Sequence, residues 1–150
     1  MSAVAHYILG AVAIGIGATL AMDLWNLFLK RVFGIPSLDY CLLGRWLRHM
    51  PSGTLRHASI AAASPKPFEC TIGKVAHYSI GVVFALVFVG LASGDWLARP
   101  TFLPALGFGI GTIVFPLFIM QPSFGLGIAA SRTPHPAQVD YGEGGNHDRP

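Results

Sequence analysis

The chain has 150 residues, 53% of them hydrophobic and 11% charged, with a mean hydropathy of +0.56 and a formal charge of +3. Soluble domains carry about 25% charged residues, so an aqueous globule of this size could not cover so much apolar surface, and so small a positive charge gives no footing for nucleic acid. What remains is one all-α membrane domain, expected over residues 1–136, with the lipid bilayer as its solvent and first partner.

The first element is an apolar run from Tyr7 to Leu29. At about 1.5 Å per residue it crosses a hydrocarbon layer of about 30 Å. No cationic stretch precedes it and no small-x-small site follows it, so it reads as a span and not as a cleaved leader. Two stripes run along it at helical periodicity. Thr19, Asp23, Asn26 and Lys30 share one face, and Gly10, Ala13, Gly17 and Ala21 share another. Small residues at four-residue spacing allow close helix packing in lipid. Asp23 is costly at this depth and needs a partner, a proton or a cavity. Two roles fit it: a carboxyl bonded across a helix interface or reached by a snorkelling Lys30, or a group that handles a proton or solute.

The segment 32–73 forms a basic loop. Ser37 is placed to cap a short helix over Leu38–Met50, with Asp39 in its first turn. Leu42, Leu43, Trp46 and Leu47 share one side of that helix and Arg45 and Arg48 the other, the pattern of an interfacial amphipathic helix. Pro51, Ser52 and Gly53 end it, and TLRHASIAAASPKP (54–67) reads as coil lying on the membrane surface. His49 and His57 have no carboxylate or cysteine at ligand spacing, so no metal and no cofactor is expected. Cys41 and Cys70 form no CxxC, and in a cytoplasmic loop they are expected as two reduced thiols.

The second span is expected over 75–94, in the uncharged run between Lys74 and Asp95. His77 and Tyr78, one turn inside Lys74, read as headgroup-level anchors and not as a catalytic base. The third span is expected over 101–121. Gly107, Gly111 and Gln121 fall on one face of it, and Pro116 should kink it by freeing the carbonyl near Thr112. The following SFGLGIAASRTPHP suggests a broken end or partial re-entrant turn, and 137–150 reads as a disordered polar tail.

Seven of the ten Lys and Arg residues lie from Lys30 to Lys74, between the first two apolar runs. The positive-inside rule therefore puts that loop in the cytoplasm and the N-terminus outside, for a multi-pass membrane protein.

Six phrases in order, GIGATLAMDLW (15–25), FGIPSLDY (33–40), GRW (44–46), RHASIA (56–61), AHYSIG (76–81) and MQPSFGLGIAASRTP (120–134), resemble a family of small bacterial inner-membrane proteins grouped only as a domain of unknown function. The resemblance implies four membrane helices and supplies no catalytic residues. Where relatives continue from an equivalent of Arg132-Thr133-Pro134 into a fourth apolar helix, this chain has its polar tail. Faces of the first and third helices should then stay open, which favours a homo-oligomer.

No P-loop, GxSxG, HExxH or CxxC occurs. A structural or accessory membrane protein ranks first among the functions this allows. A small oligomeric carrier or channel-like subunit, with Thr19, Asp23, Asn26 and Gln121 as an intramembrane polar site, ranks second. A membrane enzyme ranks third, with nothing in the sequence pairing its candidate groups.

Overall fold

A computed structural model describes residues 2–35, 39–92 and 96–132 of the chain. Among the described residues the structure is helical, with no strand. Three helical stretches are long and apolar enough to cross a membrane: Val4–Phe33, Glu69–Leu91 and Phe102–Ser123.

Helix α1 spans Ala3–Phe33. The Ser2 hydroxyl accepts the Ala5 N–H at its start. Gly34, with φ of 67°, closes it by donating to the Lys30 carbonyl, while the Ile35 N–H reaches back to Leu29. A left-handed residue is needed at such a stop, and glycine takes that conformation without strain. Lys30 and Arg31 sit in the last turn, where cations meet the negative end of the helix dipole.

Helix α2 spans Tyr40–His49. Asp39 is its cap, its Oδ1 accepting the Cys41 N–H at 2.8 Å. The expected start at Leu38 with a Ser37 cap lies outside the described residues. The amphipathic pattern is present, but its apolar side does not face lipid. Leu43 and Trp46 are buried in a protein core with Ile60, Met120 and Phe124.

Helix α3 spans Glu69–Leu91 and begins six residues before the expected 75. Its first turn tolerates Glu69 because an acid there complements the helix dipole. The same carboxylate is also held by Arg45, with an N–O distance of 2.7 Å. Helices α2 and α3 cross at Gly44 and Gly73. A Cβ on Gly44 would overlap the Glu69 carbonyl, and one on Gly73 the Tyr40 carbonyl. This crossing brings Cys41 and Cys70 together as a disulfide. The pair is thus bonded, against the expectation of reduced thiols, and Cys70 belongs to a helix and not to the loop.

Helix α1 meets α3 through Ala11, Gly15 and Thr19, all buried. A Cβ on Gly15 would lie 2.6 Å from the Val82 Cα. The contact is thus rotated from the expected stripe. Ala13, Gly17 and Ala21 are exposed, and Gly10 approaches the Leu97 side chain. Both sets are small residues at four-residue spacing, and packing selects the one that carries the Thr19–Asp23 face.

Helix α4 spans Phe102–Thr112. The chain continues through a wide π turn, Pro116–Met120, and a last helical turn, Gln121–Ser123. Pro116 has no N–H to extend the α ladder, and the ladder resumes with Gln121 donating five residues back to the Pro116 carbonyl. The expected disturbance at Pro116 is therefore a wide turn. Phe108 packs on Phe84 and Phe88 of α3 with ring centroids 6.5 and 5.1 Å apart. Gly107 and Gly111 face open space.

After Ser123 the chain turns back onto the first loop. His57 donates to the Ser123 carbonyl at 2.9 Å and Ile60 to the Phe124 carbonyl at 3.0 Å. The segment expected as surface coil is therefore folded, with Ile60 only 2% exposed. Helix α2 and segments 50–68 and 124–132 together form a cap at one end of the three helices. The polar tail lies outside the described residues.

Candidate functional site

Asp23 lies on the α1 face that packs toward α3, one turn beyond Thr19. Three side chains from two other elements converge on its carboxylate. Tyr40, first residue of α2, donates its hydroxyl to Oδ1. His77 Nε2 lies 3.1 Å from the same oxygen, and the Tyr78 hydroxyl donates to Oδ2 at 3.0 Å. Adjacent residues of a helix point about 100° apart, so His77 and Tyr78 can hold one carboxylate only by straddling it. The Tyr40 ring stacks on His77 with centroids 4.6 Å apart, which fixes the imidazole from its other side.

The site is largely covered: the His77 side chain is 11% exposed and that of Asp23 is 23%. Burial first, and the hydrogen bond to Asp23 second, push the Tyr40 hydroxyl well above its ordinary pKa. Tyr40 therefore remains a donor at any physiological pH. The Asp23–His77 pair is an ion pair when the imidazole is protonated and a hydrogen bond when it is neutral. Chemically the cluster can tie three helices together, or hold a proton shared among carboxylate, imidazole and phenol.

The other sequence-predicted residues are placed differently. The Thr19 hydroxyl, 5% exposed, donates to the Gly15 carbonyl of its own helix at 2.8 Å. It also fills the space over Gly81, where a Cβ would overlap it. Asn26 is half-buried further along α1, and Lys30 is exposed and is not the partner of Asp23. Gln121 is not among the Asp23 partners. Its carbonyl receives the Leu126 N–H at the end of the third span, and its Oε1 is buried without a hydrogen-bond partner.

Sequence reasoning missed Tyr40, and assigned His77 and Tyr78 to the headgroup level alone. The available signal was chemical: an intramembrane acid needs donors, and His77-Tyr78 is a donor pair at comparable depth from the same end.

A second polar centre sits in the cap. Arg45 is bidentate on Glu69 at 2.9 and 2.7 Å and also donates to the carbonyls of Ile60, Ala61 and Ala63. His49 and His57 lie face to edge, 5.1 Å apart. Burial, and to a lesser degree the nearby His49, lower the His57 pKa. Among the described residues no three His, Cys, Asp or Glu side chains gather as a metal site.

No curated protein and no solved structure matches the chain. Residues 12–144 match a family described as "Protein of unknown function (DUF2938)". That stretch takes in the Asp23 cluster, the α2–α3 crossing and the cap, so the fold and its polar centres fall inside the family's own limits, and the chain belongs to the DUF2938 family.

Proposed function

We propose that the protein is a structural or accessory component of the bacterial inner membrane, in which three spans carry a folded cap on one membrane face. The observation that carries this reading is the saturation of Asp23. Three donors from α2 and α3 occupy its two oxygens, as in a clasp between cap and spans and unlike a ligand site open to a path. Thr19, one turn away, has its hydroxyl committed to its own backbone.

The alternative reading is an oligomeric carrier that moves protons or solutes through Asp23, and it predicts a different result. Protein reconstituted in liposomes with an entrapped pH dye should pass no more protons than empty liposomes. Asp23→Asn should leave that unchanged while lowering stability by roughly 1–3 kcal/mol, because the amide nitrogen that replaces one carboxylate oxygen cannot accept the donor bound there and the remaining oxygen is uncharged. Proton flux by the unaltered protein, lost in Asp23→Asn, would overturn the clasp in favour of the carrier.

We further propose that the cap is cytoplasmic. Lys30, Arg31, Arg45, Arg48, Arg56, Lys66, Lys74 and Arg132 lie at its end of the helices, and Arg99 lies at the other. The Cys41–Cys70 bond pulls the other way, since disulfides persist in oxidising compartments. Cation asymmetry acts during insertion, before α2 and α3 have crossed, so it should decide. A fusion at Ser64 is expected to be active for a cytoplasmic reporter and silent for a periplasmic one; the opposite result reverses the placement.

A further inference from the structure

The cap holds an open pocket of about 500 Å³ between its two loop segments, separate from the Asp23 cluster. Arg56 and His57 form one wall, and Gly125, Gly127, Ser131 and Arg132 form the other. The walls are fixed by backbone. His57 and Ile60 donate across to Ser123 and Phe124, and Arg132 donates to the Leu126 carbonyl at 2.8 Å. Beneath them Phe124 is 2% exposed and packs edge-on against Trp46, whose Nε1 holds the Leu55 carbonyl at 2.9 Å. Gly125, with φ of +85°, lies so close to Ala58 that any Cβ would overlap its carbonyl. This is a shaped cavity with two cations at its rim.

Its charge is uncompensated among the described residues. The carboxylates there are Asp23, Asp39 and Glu69. Asp23 is bonded by Tyr40, His77 and Tyr78; Asp39 caps α2; Glu69 is held by Arg45. None of them lines the pocket. Two arginines and a serine on the lining of one pocket, with no carboxylate among its lining residues, match a phosphate, which accepts forked N–H donors and a hydroxyl together. The pocket lies beside the end of the third apolar helix at Ser123, where a span of that length would place it near the headgroup phosphates. Ile128, on its lining, is 55% exposed, an apolar side chain suited to the acyl boundary beside it.

We propose that this pocket binds the phosphate of an anionic phospholipid headgroup, with Arg56 and Arg132 as its cationic ligands and Ser131 as a hydroxyl donor. The assignment goes beyond the clasp at Asp23 and shares with it only the position of the cap at one membrane face.

The test is a thermal-unfolding titration of the full chain in neutral detergent, with dioctanoyl phosphatidylglycerol, dioctanoyl phosphatidylcholine or inorganic phosphate as the probe. Phosphatidylglycerol should raise the melting temperature saturably, and the other two should not. Arg56→Gln/Arg132→Gln should raise the half-saturating concentration roughly tenfold or more, the scale of one lost charge-assisted bond or better. Arg48→Gln, on the exposed side of α2, should leave it unchanged, as should Asp23→Asn, which separates failure here from failure of the clasp. Should the double variant not fold, Arg132→Lys keeps the charge and loses the fork, and several-fold weakening is expected. An equal response to phosphatidylcholine, an equal response to inorganic phosphate, equal weakening by Arg48→Gln, or unchanged affinity in the pocket variants would each overturn the proposal.

Discussion

Gly44→Ala and Gly73→Ala are each expected to force α2 away from α3 and to leave Cys41 and Cys70 as separate thiols. The added methyl has nowhere to go. At Gly44 it would occupy the space of the Glu69 carbonyl, and at Gly73 that of the Tyr40 carbonyl. These obstacles are backbone, which cannot rotate aside as a side-chain tip would. Overpacking a close interior contact costs typically about 1–3 kcal/mol, and a clash with backbone belongs at or above the top of that range. The consequence reaches both polar centres. Tyr40 rides on the first turn of α2 and Arg45 on its middle, so displacing the helix withdraws a donor from Asp23 and opens the pair with Glu69. Gly90→Ala is the control, since nothing lies within 4 Å of a Cβ there. Alkylation of free thiols in the oxidised, purified protein, read by mass shift, gives the measurement. Two added labels in each crossing variant and none in Gly90→Ala are expected. A protected pair in Gly44→Ala would mean that the helices can slide to accommodate a methyl.

The three spans are legible in the sequence because lipid selects length and apolarity, and both can be read locally. The start of α3 is not. Glu69 and Lys74 look like loop charges until Arg45, 24 residues earlier, is known to hold Glu69. The rotation of the α1–α3 contact is also illegible from pattern alone. Ala11, Gly15 and Thr19 have the same spacing as Ala13, Gly17 and Ala21, and what separates them is the partner helix, with Val82 against Gly15 and Gly81 opposite Thr19. Asp23 announces itself as a problem, a carboxylate in an apolar helix. Its solution lies 17, 54 and 55 residues away, beyond any local periodicity. The amphipathic face of α2 was legible as apolar, but hydropathy does not say whether lipid or protein covers it. Here Phe124 and Met120, from the far end of the chain, do so.

Arg45→Met is expected to loosen the cap while leaving the three spans inserted. The guanidinium has five donors in a fixed plane and uses its fork on both faces of the problem. Nε and Nη2 take the two oxygens of Glu69, while Nη1 gathers the carbonyls of Ile60, Ala61 and Ala63. Methionine fills the stem volume and supplies none of these, so the loop carbonyls and the carboxylate lose their partner together. Lysine retains the charge but, as a single ammonium, cannot reach both sets at once. A melting-temperature loss of roughly 5 °C or more is therefore expected for Arg45→Met, with Arg45→Lys recovering only part of it. Removing the carboxylate as well separates charge from geometry. In Arg45→Met/Glu69→Gln no unpaired acid remains, so the double variant should melt above the sum of the two single losses. Amide hydrogen exchange locates the damage: faster exchange over 55–64 and 123–132 is expected, with α1 and the body of α3 unchanged. Strict additivity of the two substitutions, or uniform loss of protection along the whole chain, would show that Arg45 acts on overall stability and does not hold the cap in particular.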